Sequence, residues 1–214
     1  LFVVTVGTTI NIIMTSLGAY VLSRKGLFWK NFMMIIIVFT MFFGGGMIPT
    51  YLLVRSLKLT DTLWALIVPG AISTYNMIIM RTSFASIPDS LEESARIDGA
   101  KDLTILFKIV IPLSLPVIAV MILFYGVGHW NSWFSALIYL RKRELYPLQL
   151  ILREVLISSD TTQMLAGLEG MDLEPIAETV KYATIVIATL PILCIYPFLQ
   201  KYFVKGVMIG ALKG

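Results

Sequence analysis

Polar residues interrupt this chain in only a few places. Apolar runs near 1–22, 32–54, 62–80, 112–139 and 182–200 are separated by short polar connections at 23–31 and 55–61 and by two longer polar stretches, 81–111 and 140–181. A helix needs about 20 predominantly apolar residues to cross a bilayer core, so the pattern predicts five membrane spans within a single transmembrane domain covering 1–214. No Ser-, Gly- or Pro-rich linker, repeat or low-complexity tract divides it. Within 140–181 the run LQLILREVLI at 148–157 predicts a short amphipathic helix. Asp172 and Pro175 mark the expected start of the last helix, because proline is tolerated in a first turn and carboxylates suit that end.

Composition strengthens the membrane reading. Of 214 residues, 57% are hydrophobic and 14% charged, with a mean hydropathy of +0.85. Soluble domains carry roughly 25% charged residues, so the expected solvent is lipid. The formal charge of +4 is gathered between apolar runs rather than along a stripe with stacking aromatics, which argues against nucleic acid as a partner. The chain opens directly in an apolar run with no basic stretch and no Met before it, so a signal peptide is not expected and a preceding segment is.

Orientation follows from lysine and arginine. With 23–31 on the cytoplasmic side, that side holds 10 of the 17 basic residues and the other side seven. The bias predicts N-terminus outside and C-terminus inside, although Arg141-Lys142-Arg143 falls on the outer side against the rule.

Residue inventory narrows the function. The five spans contain no Asp, Glu, Lys or Arg, which disfavours a proton-driven carrier, since such carriers keep ionisable groups within the membrane. A sodium-driven carrier using broken helices is left open. No phosphate-cradling G-x-x-x-x-G-K-[ST] loop is present, and Gly44-Gly45-Gly46, inside an apolar run, predicts close helix contact or a bend. With one His and only Cys194 as a thiol, an internal disulfide is excluded, and neither a metal cluster nor a Cys–His pair can be assembled convincingly. The energy for any transport must come from elsewhere.

That draws attention to 81–111. After Pro88, Asp89 and Ser90 each have a Glu three residues on, the capping-box spacing. Glu92 and Arg96 stand at i,i+4, and Gly99 is placed to end the helix in the left-handed conformation. Asp102 can start a second helix that carries Leu103, Leu106, Ile109 and Val110 to one side, with Pro112 and Pro116 stiffening the entry to the next span. The expectation is two short helices in an L, joined rigidly to a membrane helix. A two-turn helix is marginal alone in water, so a partner surface and an ordinary solvated loop are both open readings.

Residues 93–100 (ESARIDGA) and 111–116 (IPLSLP) resemble the EAA loop of ABC-importer permeases. The run 69–100 and the ending LPILCIYPFLQKYFVKGVMIGALKG are similar to the carbohydrate (CUT1) branch, MalG-like, and within it to the LplC/YtcP type. Ser94 stands where the family has Ala, and Leu106 where it often has an aromatic. The resemblance implies an all-α integral membrane fold, the type I (MetI-like) permease bundle, with five spans here of an expected six. It implies a multi-pass location in a bacterial cell membrane.

By that resemblance, Glu92, Glu93, Ser94, Ala95, Asp98, Gly99, Ala100 and Pro112 couple the chain to an ATPase, and Gly210, Lys213 and Gly214 form a tail that also contacts it. The implied partners are a second permease subunit in a heterodimer, two ATPase subunits carrying ATP and Mg, an extracytoplasmic solute-binding protein, membrane lipid and an oligosaccharide. This chain itself would bind no cofactor and catalyse nothing. His129, Trp130, Asn131, Asn11 and Asn76 are candidate substrate-path residues, together with Thr8 and Thr9. Their other reading is an aromatic belt for 129–133 and helix-joining for the rest. The 140–181 segment either meets the binding protein or caps the bundle. The rival classes are a self-contained secondary carrier or channel and a membrane-embedded enzyme.

Overall fold

The computed structural model describes residues 1–169 and 174–211, and all regular structure among them is helical. The longest apolar stretch at the start forms α1, Phe2–Ser23. Its buried stripe reads Val3, Gly7, Asn11, Thr15, Ala19 and Ser23, one residue every four, while Phe2, Ile13, Met14 and Val21 stay exposed. In lipid this inversion is expected, because apolar surface gains nothing by leaving hydrocarbon, whereas small residues permit close packing and polar ones find partners. Helix α1 packs on α4 (Thr74–Ala85) and α7 (Leu115–Trp130). Between them Ala19, Tyr20, Met77, Met80, Phe84, Met121 and Tyr125 form the main core, closed from below by Ile105, Leu106 and Val110. A smaller core at the other end joins Val3, Leu66, Ile67, Ala136, Leu140 and Leu150.

Two helical stretches, Phe2–Ser23 and Thr179–Phe198, are each long and apolar enough to cross a membrane, and up to five spans result if each of three bent pairs counts as one. The bends lie where the sequence breaks helical hydrogen bonding. Helices α2 (Lys30–Phe42) and α3 (Met47–Ser56) meet at 108° around Gly44-Gly45-Gly46, where Gly46 takes φ +81°. Short 3₁₀ turns over Leu63–Leu66 and Val68–Gly70 enter α4 at 52°. Helix α6, Asp102–Leu113, turns 88° into α7 at Ser114. Within α6 the turn Leu106–Val110 is a π-helix. This wide turn lies just before Pro112, whose ring would otherwise crowd the carbonyl four residues back.

The apolar runs 32–54 and 62–80 are thus bent pairs, and the third bend, at Ser114, joins the helix that begins in the polar 81–111 stretch to the run 112–139. The run 112–139 also divides, with α8 (Trp133–Tyr139) separated from α7 by Asn131-Ser132. The helix expected at 148–157 extends to Leu148–Glu169 (α9), and the last helix, α10, runs Glu174–Ala211 with Pro175 in its first turn. Asp172 lies outside the described residues.

Candidate functional site

The 81–111 segment folds as a corner beneath the bundle. Helix α5, Asp89–Ile97, follows directly from Pro88, which occupies the N-cap position and has no side-chain acceptor. The expected capping box does not form. Asp89 and Glu92 instead turn to the loop after α1, where Lys25 Nζ donates to Asp89 and Arg24 Nη1 to Glu92. Arg96 Nη2 joins the two arms of the corner, donating to Glu92 Oε1 at 3.0 Å and to Asp102 Oδ1 at 2.5 Å. At the end of α5 the Ala100 N–H donates to Ala95 O at 2.9 Å and the Gly99 N–H to Arg96 O at 3.0 Å. With Gly99 at φ +79°, this is a Schellman stop.

These contacts sort the expected coupling residues by face. Ala95 and Ala100 pack against the main core, so the close approach their small side chains permit is to the bundle. Glu92 is also turned inward. Glu93, Ser94, Asp98, Gly99 and Pro112 are exposed, as are Leu91, Leu103, Phe107 and Ile97, the last at 86%. In α6 it is Ile105, Leu106 and Val110 that are buried, with Leu103 exposed, because the π-turn shifts the register of the buried face. The corner therefore presents a mixed acidic and apolar outer surface on a backbone held by hydrogen bonds and ion pairs. The hydrogen bond from Lys25 holds the Asp89 carboxyl below the ordinary carboxylate range, and its counterpart raises Lys25.

The polar residues of the spans are brought together into a ladder. Asn11 Nδ2 donates to Gly70 O at 2.6 Å and to Ala71 O at 2.9 Å, so its Oδ1 is the acceptor for His129 Nε2, 2.6 Å away. One turn along, the Thr15 and Tyr125 hydroxyls are 2.7 Å apart, and the Tyr125 oxygen accepts the Ser73 N–H at 3.2 Å. Two rungs thus tie α1 and α7 to the broken entry of α4. Trp130 Nε1 donates to Ala188 O at 2.9 Å in α10. Asn131 is exposed at the end of α7, and Asn76 is buried on α4. Asn11, His129 and Trp130 thus bond between helices; for Asn11 this is the helix-joining alternative open from sequence, while for His129 and Trp130 the alternatives are a substrate path and an aromatic belt. The Thr9 hydroxyl returns to Thr5 O. Thr8 Oγ1 is buried without a partner, at the edge of a cavity of about 500 Å³ between α1, α7 and α10 that also meets Gly126, Trp130 and Ile192.

Gly210 lies within α10, while Lys213 and Gly214 lie outside the described residues. Sequence reasoning missed Arg24 and Arg81 as site residues, and Tyr125 and Gly7 as members of the ladder. The only signal for Arg24 was its place just after an apolar run. Gly7 is needed because a Cβ there would come within 2.6 Å of the His129 ring.

Residues 4–209 match the family described as "Binding-protein-dependent transport system inner membrane component". The chain is 49% identical over 213 residues to the polygalacturonan/rhamnogalacturonan transport system permease protein YtcP of Bacillus subtilis, covering 100% of this chain and 74% of the relative. It is 47% identical over 214 residues to protein LplC of the same organism, covering 100% of this chain and 72% of the relative. Its fold is similar to a chain in the crystal structure of a bacterial ABC transporter involved in the import of the acidic polysaccharide alginate. That match has a TM-score of 0.82 and 36% identity, and covers 94% of this chain and 72% of that one.

Proposed function

Since the chain belongs to the family of inner-membrane components of binding-protein-dependent transport systems, we propose that it is a permease subunit that carries acidic oligosaccharides inward by alternating access, driven by a separate ATPase. The family places it in the inner membrane as a multi-pass subunit of an ABC transporter, and its relatives make that transporter one for sugars. The finer parts are our reading. In it the α5–α6 corner is the docking element, the partners are a second permease, the ATPase subunits and a solute-binding protein, and ATP with Mg is held by the ATPase.

The observation that carries the coupling reading is the corner itself. It exposes Ile97, Leu103 and Phe107 beside Glu93 and Asp98, a surface suited to a protein groove rather than to water. It is also stiff, since the backbone bonds of the Schellman stop set the direction of the chain after Gly99, with the exposed Arg96 bridge adding little. A displacement of α5 would then move α6 and, through Ser114, α7. Alternating access of this kind asks of the permease only that it convert movement at one end into rearrangement at the other.

An acidic cargo is favoured by the relatives. The named relative carries polygalacturonan or rhamnogalacturonan and the structural neighbour imports alginate, all of which bear carboxylates.

The test is uptake of an oligogalacturonide into vesicles holding this chain with its partner permease and binding protein, with and without the ATPase. Uptake is expected only with ATPase and ATP together. Uptake by this chain alone, indifferent to ATP, would establish a self-contained carrier or channel instead.

A further inference from the structure

Glu92 lies within the segment that would dock on the ATPase, yet it faces the membrane bundle. Its side chain is 12% exposed and its partner Arg24 18%. Arg24 stands at the C-cap of α1, and each part of its guanidinium is engaged. Nη1 donates to Glu92, Nη2 to Phe84 O at 3.3 Å at the end of α4, and Nε to Ser23 Oγ at 3.0 Å. The plane lies over the Tyr20 ring, 4.7 Å from its centroid, and the Tyr20 hydroxyl reaches Glu92 Oε1 at 3.3 Å.

The contact is reciprocated. Arg81 of α4 donates through Nε to Leu22 O at 3.0 Å, and Lys30 Nζ reaches Ser23 O at 3.3 Å and Arg24 O at 3.0 Å. Helices α1 and α4 thus exchange arginines at their C-terminal ends, where unpaired carbonyls and the negative end of the dipole accept cations. Through Glu92 the same arginine that joins those ends also grips α5.

We infer that Arg24 and Glu92 are positioning residues that give the α5 corner a second path into the membrane, through α1 and α4, beside the covalent path through α6 and α7. This rests on the transport reading above. The covalent path crosses the 88° turn at Ser114. The clamp bypasses that turn and reaches the two helices that, with α7, build the main core. The neighbouring Lys25–Asp89 pair does not share the role. Its side chains are 83% and 47% exposed, and exposed pairs hold little. Removing one partner of a largely desolvated pair leaves the other charge uncompensated. A lysine at 24 would keep the charge but lose the planar fork that serves Glu92 and Phe84 together.

The test uses the assembled importer in vesicles, with Cys194 replaced by Ser and spin labels at Val21→Cys, exposed on α1, and Thr104→Cys, exposed on α6. With the clamp intact, the label distance is expected to be the same without nucleotide and with ATP trapped by vanadate. In Arg24→Glu it should change between the two states, and ATP hydrolysed per oligogalacturonide moved should rise about tenfold. Arg24→Lys should shift both in the same direction by less, and covers the case in which Arg24→Glu fails to assemble. The exchange Arg24→Glu with Glu92→Arg should bring both back toward the parent. A purely structural role would lower transport and hydrolysis together and leave their ratio unmoved. The inference is overturned by a distance that already shifts with the clamp intact, by a parental ratio in both single variants, or by an exchange that restores nothing. Failure of the transport reading would look different, as parent vesicles without ATP-dependent uptake.

Discussion

Two kinds of glycine do different work in this chain, and substitution separates them. At Gly99 no atom lies within 4 Å of where a Cβ would stand, but φ is +79°. The requirement is backbone conformation alone. Gly99→Ala is therefore expected to cost about 1 kcal/mol, Gly99→Asn less, since asparagine tolerates this region. Gly99→Pro should remove the corner, because proline cannot adopt that φ and lacks the N–H that bonds Arg96 O. Uptake by the assembled importer should follow that order, with the proline variant uncoupled while its spans remain inserted. ATP-dependent uptake at the parental rate in Gly99→Pro would contradict the reading of the corner. Gly7 is the opposite case. Its backbone is ordinary α-helix, but an added methyl would meet the His129 ring at 2.6 Å, and that ring is pinned by its bond to Asn11. Gly7→Ala should destabilise the folded chain by roughly 1–3 kcal/mol of overpacking, read as a lower thermal midpoint in detergent.

At the scale of elements, the polar ladder explains why the entry to α4 can stay unwound inside an apolar environment. The carbonyls of Gly70 and Ala71 and the N–H of Ser73 find no partners in a regular helix there, and Asn11 and Tyr125 supply them. Tyr125→Phe removes one acceptor and leaves Ser73 N–H and Thr15 with less to bond. The expected loss is about 1 kcal/mol, and amide exchange at residues 70–74 should quicken more than in the body of α7. Uniform exchange would show that the ladder does not hold the break. Much of this level was legible in the sequence. The apolar runs, the glycine stop, the Glu92–Arg96 spacing and the corner after Pro88 all depend on neighbours within one turn, so they can be read from neighbours. The bends needed more. Gly44-Gly45-Gly46 admitted either a close contact or a bend, and Pro112 announced a stiff joint but not the π-turn before it. What could not be read was pairing across long separations. Arg24 with Glu92, and Asn11 with His129, are 68 and 118 positions apart, and nothing local distinguishes them from a topology signal and a lone polar residue. The capping box failed for the same reason, since Lys25 and Arg24 outcompete the helix end for its carboxylates.

For the molecule as a whole, charge and surface together predict how it sits in the bilayer. The side chains facing outward from α2 and α10, including Phe32, Ile36, Phe39, Ile187, Leu193 and Phe198, are apolar and exposed, which suits contact with lipid or with another membrane subunit. The corner and the Arg24 clamp lie at one end of the bundle, and Arg141-Lys142-Arg143 at the other. The lysine and arginine count puts the corner in the cytoplasm by only 10 to seven, a narrow margin for a rule that acts through short loops near span ends. The proposed docking decides the same way, since a corner that met a cytoplasmic ATPase would share its compartment. The check needs a single thiol at a time, and replacing Cys194 provides the background. In intact cells a membrane-impermeant maleimide should label Lys142→Cys and leave Ile97→Cys untouched, and inverted vesicles should give the reverse. Labelling of Ile97→Cys from outside would turn the chain over in the membrane. The same result would end the coupling reading, because no docking on a cytoplasmic ATPase is available to a corner that faces out.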